Sequence, residues 1–398
     1  MRYDRYRTGG IMTFNSSALV LDGRSHTSLA IIRNLGRHGI SVRTVDTSPS
    51  DYGISRYISD AVLLEEGAEA LLDSLIAISQ EGEPPVLLPT SPAYAAFVAQ
   101  HFSLLKNYFR FPAESPEGIF WRGSTDMFDD FMPATVDLDG ETLQATELKI
   151  ATTIGFPCLI RRRVHDIRDL SVPAEFISSP GALSRALEKI SDPSSYYAQR
   201  FIPGEASDNS SAVLYYSAGG ELAGFVTAEV LRQWPENVGE ATYMKQKWIP
   251  ELIGLVHPRL KEAGFRGLIR VRFKRDEFSR KVYITGADTA FPPETELYSH
   301  LGFELPYLYY LDATGEELPH IFFQSDTNCH FKDGFNDLRA ISSYLKTGHM
   351  GLMKIISDYK FRKVPATWAW DDMGPGLNKL GHMTERGLSS MWRKIRNH

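Results

Sequence analysis

The feature that most constrains this chain is a strand–helix–strand pattern across residues 18–46, ALVLDGRSHTSLAIIRNLGRHGISVRTVD. The apolar run at 18–21 has strand length, and residues 41–45 predict a second strand. Between them apolar residues recur at helical spacing, and two glycines close the helix. Two strands joined through one helix lie parallel, with a right-handed crossover. Together with a further buried strand at VLLPT (86–90), the pattern predicts an open parallel α/β domain over residues 18–132.

The pattern changes near residue 133, where short β-rich segments alternate with helices. Two apolar runs flank a Gly-Gly turn in SAVLYYSAGGELAGFVTAEV (211–230), which is typical of antiparallel strands. LIRVRF (268–273) and YITGADTAF (283–291) predict a second hairpin. We therefore predict an α/β (α+β) protein in five parts: a disordered leader at 1–17, the α/β domain at 18–132, a small central domain at 133–204, an antiparallel-sheet domain at 205–330 and a helical extension at 331–398.

Charge and cysteine content limit the partners and the compartment. The net charge of -6 and the pI of about 6.0 do not favour binding to nucleic acid or to an anionic membrane. No apolar run approaches the roughly 18 residues of a membrane span, and the polar start lacks the apolar core of a secretory signal. Cys158 and Cys329 lie among apolar or aromatic residues without a CxxC neighbour, so buried thiols are expected. We therefore expect a cytoplasmic protein.

Two segments leave their roles open. The loop DGRSHTS (22–28) could hold an anion at a helix N-terminus, but its single glycine departs from the GxGxxG pattern of dinucleotide sites. A structural turn with a Ser or Thr cap is the favoured interpretation. The aromatic segment FRKVPATWAWDD (361–372) either packs on the core or binds a partner.

Eight segments, in order, resemble the ATP-grasp superfamily. They are LVLDGRSHTSLAIIRNLGRHGISV (19–42), SRYIS (55–59), VLLPTS (86–91), GFPCLI (155–160), QRFIPG (199–204), LRQWPENVGEAT (231–242), GFRGLIRVRFKRD (264–276) and YITGADTAFPPETELYSHLGFELPYLYY (283–310). The branch they resemble is the carboxylate–amine ligases related to carbamoyl-phosphate synthetase and D-aspartate ligase. WAWDDMGPGL (368–377) is similar to the tail of that branch.

The resemblance implies an ATP-grasp fold with an N-terminal α/β domain, a small central domain and a C-terminal antiparallel-sheet domain. In this family ATP lies between two sheets and activates a carboxylate as an acyl phosphate, which an amine or a thiol then attacks. Such chemistry needs cations for the phosphates and two or three acids for Mg²⁺.

Cations stand at several positions where the resemblance implies phosphate contacts. Arg161 replaces a family lysine, and its planar fork can still bind an anion. Gln199 and Arg200 stand where the family has a glutamine followed by a glutamate. Arg232 matches a phosphate-facing arginine. An earlier lysine of the family is missing, and Arg122 is the nearest candidate.

The loop at 164–180, VHDIRDLSVPAEFISSP, is normally glycine-rich in this family, so that backbone N–H groups can close over phosphates. Here it contains no glycine. A Cβ atom at each position obstructs close approach of the backbone. The loop therefore disfavours the usual binding of ATP.

The expected Mg²⁺ ligands have changed most. Arg272 occupies the position of the first acid, and the second acidic motif falls on Gly286, Asp288 and Ala290. Strand alternation places Arg270 on the same face as Arg272. A guanidinium about 4 Å from Mg²⁺ would be repelled by roughly 8 kcal/mol at an effective dielectric constant of about 20. A shift of the alignment by one or two residues would instead offer Glu277 or Glu294 as an acid.

The first hypothesis that follows from these substitutions is a metal-free basic pocket that binds a carboxylate- or phosphate-bearing small molecule. The protein would then act alone, as a silent partner of an active ligase, or with another enzyme of its pathway. Arg232 and Arg272 are the catalytic candidates. The predicted binding residues are Arg161, Gln199, Arg200, Arg232, Arg270 and Arg272.

The alternative is an active ATP-dependent ligase that joins a carboxylate to an amine or a thiol and uses ATP and Mg²⁺. Arg161 and Arg232 would then hold phosphates, and Asp288 with Glu294 would hold the metal. A third class of function, catalysis without ATP, would use His26, or His165 beside Asp166, as an acid–base group.

Overall fold

The structure is a computed structural model that describes residues 16–64, 68–79, 82–116, 125–138, 142–163, 174–358 and 360–383. The leader up to residue 15, Arg122, His165, Asp166 and most of the glycine-free loop lie outside these ranges, and so do the predictions made for them. Within these ranges, no helix has both the length and the apolar character needed to cross a membrane.

The N-terminal part is the parallel α/β domain that the sequence predicts. Its elements are β1 (Ala18–Leu21), α1 (His26–Arg37), β2 (Val42–Asp46), β3 (Ile58–Leu63), α2 (Ala68–Ser79), β4 (Val86–Pro89), α3 (Pro92–Gln100) and α4 (Phe102–Leu105). The strands pair in parallel in the order β3-β2-β1-β4. Successive residues of β1 enter two apolar clusters, one on each face, so this strand is buried on both sides. Helix α1 begins at Ser25, whose hydroxyl accepts a hydrogen bond from the Ser28 N–H, as the capping interpretation of this loop predicts.

The central part is a four-stranded antiparallel sheet with two helices packed against it. Its elements are β5 (Thr135–Asp137), α5 (Leu143–Thr153), β6 (Cys158–Arg162), β7 (Glu175–Ile177), α6 (Pro180–Leu187) and β8 (Tyr196–Arg200). The strand order is β5-β8-β6-β7. Cys158 enters the apolar cluster beneath this sheet as a free, buried thiol, and Cys329 is likewise buried and free.

The third part is an eight-stranded sheet with helices on its faces. Its elements are β9 (Asn209–Tyr216), β10 (Leu222–Trp234), β11 (Glu240–Gln246), α7 (Pro250–Glu262), β12 (Gly267–Arg275), β13 (Val282–Asp288), α8 (Thr295–Leu301), α9 (Leu305–Thr314), β14 (Ile321–Phe322), β15 (Cys329–Lys332), α10 (Gly334–Thr347), α11 (Leu352–Asp358) and β16 (Arg362–Pro365). The strand order is β13-β12-β9-β10-β11-β15-β16, with β14 beside β10. Both predicted hairpins, β9–β10 and β12–β13, are antiparallel pairs of this sheet.

The prediction of a helical extension over 331–398 is wrong for part of that segment. Helices α10 and α11 are present, but β15 runs across the predicted boundary and β16 adds a parallel strand at the edge of the large sheet. Phe331 and Val364 pair in this register and are both buried in the main apolar cluster. A four-residue strand is too short to show a period, so its pairing with a distant strand decides its conformation.

The aromatic segment left open by the sequence packs on the N-terminal domain. We call residues 366–383 the C-terminal strap; its helix runs over 374–383. Asp372 of the strap binds the buried Arg33 of α1 at 2.9 Å, and Asp371 binds Arg37 one helical turn later at 2.8 Å. His382 lies 2.6 Å from Asp51, beyond β2. The strap therefore ties the chain end to the first βαβ unit.

Candidate functional site

A small cleft between the central sheet and the large sheet brings together three of the predicted arginines. Arg161 comes from β6, whereas Arg270 and Arg272 come from β12 on the opposite side. Glu240, the first residue of β11, and Glu294, just before α8, complete the charged lining. The cavity has a volume of about 110 Å³.

Arg270 is the buried centre of this charge network. Its guanidinium lies 3.3 Å from Asp288, 3.4 Å from Glu240 and 3.7 Å from Glu294. Burial of the side chain lowers the pKa of Arg270, but the three carboxylates outweigh burial, and the net shift is upward. Arg270 is therefore a permanent cation whose charge protein groups already balance.

Arg272 is more exposed and more weakly held. Its guanidinium lies 3.5 Å from Asp288 and 3.6 Å from Glu240, both longer than a normal hydrogen bond, and its side chain is 36% exposed. The guanidinium lies over Gly286, the residue opposite Arg272 on β13, where a Cβ atom would stand 2.8 Å from an Arg272 nitrogen. The arginine and the glycine at these two positions are therefore sterically matched.

Arg161 approaches the same cavity from the central sheet. Its Nε atom is buried without a hydrogen-bond partner, and in the part of the chain that the structure describes no carboxylate forms an ion pair with the guanidinium. Burial is the main cause that lowers the pKa of Arg161, partly offset by a hydrogen bond to Tyr197, and Arg272 across the cleft adds to the lowering. Arg161 is therefore a cation that lacks a counter-ion among the described residues.

The two predicted metal ligands lie near each other but are held by protein groups. Asp288 lies between Arg270 and Arg272. Glu294 is 2% exposed and accepts a hydrogen bond from the Tyr298 hydroxyl at 3.0 Å. Burial raises the pKa of Glu294 although Arg270 opposes the shift. Among the described residues, no group of three or more His, Cys, Asp or Glu side chains is arranged to hold a metal ion.

The hinge residues predicted from the sequence do not line the cavity. Gln199 is buried within β8 at 1% exposure, and Arg200 at the end of the same strand is exposed to solvent. Neither contributes to the walls formed by Arg161 and β12. Their binding roles remain predictions that the cleft geometry does not support.

Arg232 is the largest correction to the expected placement. It does not face the cleft; its guanidinium is 1% exposed and lies 4.3 Å above the Tyr243 ring. The Nε and second terminal nitrogen donate to Asp337 at 2.7 and 3.1 Å, and the remaining terminal nitrogen donates to Asp358. All three nitrogens are thus engaged by acids of α10 and α11. The sequence could not reveal these partners because they lie more than 100 residues further along the chain.

Glu240 is a cleft residue that sequence reasoning missed. It follows a turn in which Gly239 comes so close to Trp234 that a Cβ atom would stand 1.9 Å from its carbonyl carbon. This turn places the Glu240 carboxylate against Arg270 and Arg272. A glutamate after a turn is most often a solvated surface residue, so the sequence alone carries no signal for it.

His26 lies outside the cleft. Its Nδ1 is 4.0 Å from Asp333, and its ring packs beside Phe331 of β15. Burial is the main cause that lowers the pKa of His26, although Asp333 opposes the shift. The acid–base role of His26 remains a prediction.

Neither a family model nor a curated relative matches the sequence. Solved structures do match the fold. An N5-carboxyaminoimidazole synthetase from Staphylococcus aureus matches with a TM-score of 0.57 at 14% identity, over 77% of this chain and 79% of that chain. The same enzyme complexed with ADP matches at 0.58 and 14% identity, over 79% and 81% of the two chains.

A third match is the biotin carboxylase domain of the 2-oxoglutarate carboxylase from Hydrogenobacter thermophilus, in complex with MgADP, ADP and bicarbonate. Its TM-score is 0.58 at 14% identity, over 79% of this chain and 73% of that chain. The chain thus has the mixed α/β architecture of the ATP-grasp enzymes. At this level of identity the likeness establishes the fold.

Proposed function

We propose that the protein binds a small carboxylate- or phosphate-bearing molecule in the cleft between Arg161 and Arg272. The observation that supports this most directly is the Arg161 guanidinium, which lines the cavity without a counter-ion among the described residues and has a buried, unpartnered Nε. Buried polar groups in folded proteins are almost always hydrogen-bonded, so a cavity-lining arginine with an orphan donor points to an acceptor supplied by a ligand.

Arg272 supplies the second contact. Its distances to Asp288 and Glu240, 3.5 and 3.6 Å, leave its hydrogen-bonding capacity largely unused. A guanidinium binds carboxylate or phosphate through two parallel N–H···O bonds. An oxyanion between Arg161 and Arg272 would satisfy both side chains and would relieve their mutual repulsion.

The size of the cavity favours a small anion. Pockets that enclose drug-sized ligands measure roughly 300–1,000 Å³, whereas this cavity measures about 110 Å³. That space suits a carboxylate or a phosphate group rather than a whole nucleotide. A larger ligand would insert only its anionic end.

The same geometry argues against the usual Mg²⁺ site. Mg²⁺ requires about six oxygen ligands near octahedral positions, but Asp288 is bound by two guanidinium groups and Glu294 is buried against Tyr298. A divalent cation at Asp288 would stand close to the two guanidinium groups, which repel it. We therefore derive no step of ligase chemistry through a metal at this site.

An ATP-dependent carboxylate–amine or thiol ligase is the second candidate. The observation in its favour is the shared fold with enzymes whose structures contain ADP, or MgADP with bicarbonate. Arg161 would then contact a phosphate, whereas Arg232, which was expected to do the same, has every guanidinium nitrogen bound by Asp337 or Asp358. A protein that binds a small anion in the cleft and acts as a silent partner of an active ligase would also agree with the first proposal.

Replacing Arg161 with glutamine tests the first proposal. We expect inorganic phosphate or acetate to bind the native protein, and Arg161→Gln to weaken that binding about 10- to 100-fold, because a hydrogen bond to a charged group contributes about 1.5–3 kcal/mol. Arg163→Gln is the matched control, since Arg163 follows the same strand but pairs with Asp137 outside the cavity. Isothermal titration calorimetry at fixed ionic strength measures the affinities.

Thermal unfolding with and without Mg–ATP separates the two candidates. A ligand at about 100 times its Kd stabilises the folded state by about 2.7 kcal/mol. We expect phosphate, but not Mg–ATP, to raise the Tm of the native protein. A rise with Mg–ATP that requires both components and is lost in Asp288→Asn would favour the ligase. Equal phosphate affinity in Arg161→Gln and native protein would refute the anion site.

A further inference from the structure

A second concave site lies beside β16, the edge strand of the large sheet, and shares no lining residue with the cleft. It is a groove of about 870 Å³ between α8, β16 and the C-terminal strap, and Arg37 of α1 reaches into it. This volume lies within the range of pockets that enclose small-molecule ligands. Neither the proposed function nor the fold likeness uses this groove.

One arginine in the lining of the groove has no carboxylate partner among the described residues. Two carboxylates in its lining, Glu296 and Asp371, are both bound by Arg37, at 3.1 and 2.8 Å. Arg362 of β16 has no ion pair with any acid in the described ranges of the chain. His300 stands beside these cations: burial lowers the pKa of His300, and Arg362 and Arg37 lower it further. His300 therefore offers a hydrogen-bonding ring, with its neutral form favoured, beside Arg362.

The lining of the groove also contains aromatic and apolar side chains. The Trp370 side chain is 94% exposed, the most exposed of the large hydrophobic side chains among the described residues. Trp368 packs closely against Gly376 of the strap, where a Cβ atom would stand 2.5 Å from its ring. Val364 and Pro365 of β16 add apolar residues to the lining. An indole that presents its faces to solvent at the edge of a cavity is suited to stack on a planar ring.

We propose that this groove binds a planar aromatic ring that carries a phosphate or carboxylate group. The ring stacks on Trp370, and the anionic group contacts Arg362 with His300 beside it. The two requirements come from separate observations. The exposed indole selects the ring, and the Arg362 guanidinium, which forms no ion pair among the described residues, selects the anion. Arginine forks bind carboxylate and phosphate in the same bidentate manner, so the shared chemistry defines the ligand class.

The ends of this chain do not fit as occupants of the groove. The leader begins MRYDRYR and the chain ends WRKIRNH, so both segments are basic. Like charges next to Arg362 disfavour either segment. An anionic ring compound instead supplies the missing counter-charge and covers the indole.

Calorimetric titration with phenyl phosphate, benzoate, inorganic phosphate and benzyl alcohol tests the proposal. We expect phenyl phosphate or benzoate to bind, and Trp370→Ala and Arg362→Gln each to weaken that binding by about 10-fold, the order of magnitude for loss of one stacking or charged contact. Phe278→Ala is the matched control for the aromatic variant, because Phe278 is 80% exposed and lies on the β12–β13 turn away from the groove. Arg163→Gln is the control for charge.

The outcomes separate this site from the cleft. Binding that persists in Arg161→Gln and falls in Trp370→Ala and Arg362→Gln supports the groove; binding that falls only in Arg161→Gln assigns the ligand to the cleft and overturns the proposal. Inorganic phosphate that binds as tightly as phenyl phosphate, with no effect of Trp370→Ala, removes the aromatic requirement and also overturns it. If none of the four probes binds at millimolar concentration, or if the native protein self-associates through Trp370, the groove is not such a site.

Discussion

Arg232→Ala is expected to lower the free energy of unfolding by about 3–5 kcal/mol, which is the usual cost of removing one partner from a buried ion pair. The Arg232 guanidinium is 1% exposed and is bound by Asp337, which is fully buried, and by Asp358. Without the arginine, two carboxylates would remain in the interior, with Lys332 at 3.7 Å from Asp337 as a nearby cation. A loss of this size is a large fraction of the total stability of a typical domain.

The same variant separates a structural role of Arg232 from the catalytic role that the resemblance implied. Because Arg232 points away from the cleft, the affinity of the folded protein for phosphate should stay within about twofold of the native value. A twofold change in affinity corresponds to less than about 0.5 kcal/mol of binding free energy. Chemical denaturation measures stability, and calorimetry under conditions where the variant is folded measures affinity. Arg232→Lys should recover little stability, since an ammonium group cannot replace three directed guanidinium contacts.

Arg339→Ala is the control for this experiment. Arg339 lies on α10, the helix that carries Asp337, but it is exposed and contacts only Asn336 among the described residues. Its loss should change stability by less than about 0.5 kcal/mol. A stable Arg232→Ala protein that no longer binds phosphate would contradict the structural assignment and would return Arg232 to the functional site.

Local patterns were sufficient for most of the fold. The βαβ unit at 18–46 and both antiparallel hairpins follow from apolar periodicity and turn residues, which depend on neighbours a few positions apart. Strand β16 and the C-terminal strap did not follow, because β16 is held by β15 and the strap by Arg33 of α1. The paired residues of β15 and β16 are 33 positions apart, and Arg33 and Asp372 are 339 positions apart, so no local signal encodes either contact.

The candidate site was predictable to the same extent. Alternation along β12 places Arg270 and Arg272 on one face, and both do contact Asp288 and Glu240. The sequence could not distinguish an arginine that is paired with carboxylates from one that is not, because the carboxylates lie on other strands, loops and helices. Arg161 and Arg232 are distinguished by their surroundings in the folded protein. Two aspartates bind Arg232, whereas no carboxylate among the described residues pairs with Arg161.

Asp372→Ala is expected to lower the free energy of unfolding by about 3–5 kcal/mol, because it leaves a fully buried guanidinium without its carboxylate. Arg33 is 0% exposed, and its Nε donates to Asp372 at 2.9 Å. The same carboxylate accepts hydrogen bonds from the Ser55 hydroxyl at 2.7 Å and the Arg56 N–H at 3.0 Å. One aspartate thus satisfies donors from α1 and from the segment that enters β3.

The neighbouring residue provides a matched control. Asp371 also binds an arginine of α1, Arg37, but its side chain is 41% exposed, so water can replace the lost contact. Asp371→Ala should therefore cost no more than about 1 kcal/mol. Chemical denaturation of both variants, with hydrogen exchange over 366–383, measures the difference. Equal losses in the two variants, or normal protection of the strap in Asp372→Ala, would show that burial of the Arg33 charge is not what holds the strap to the N-terminal domain.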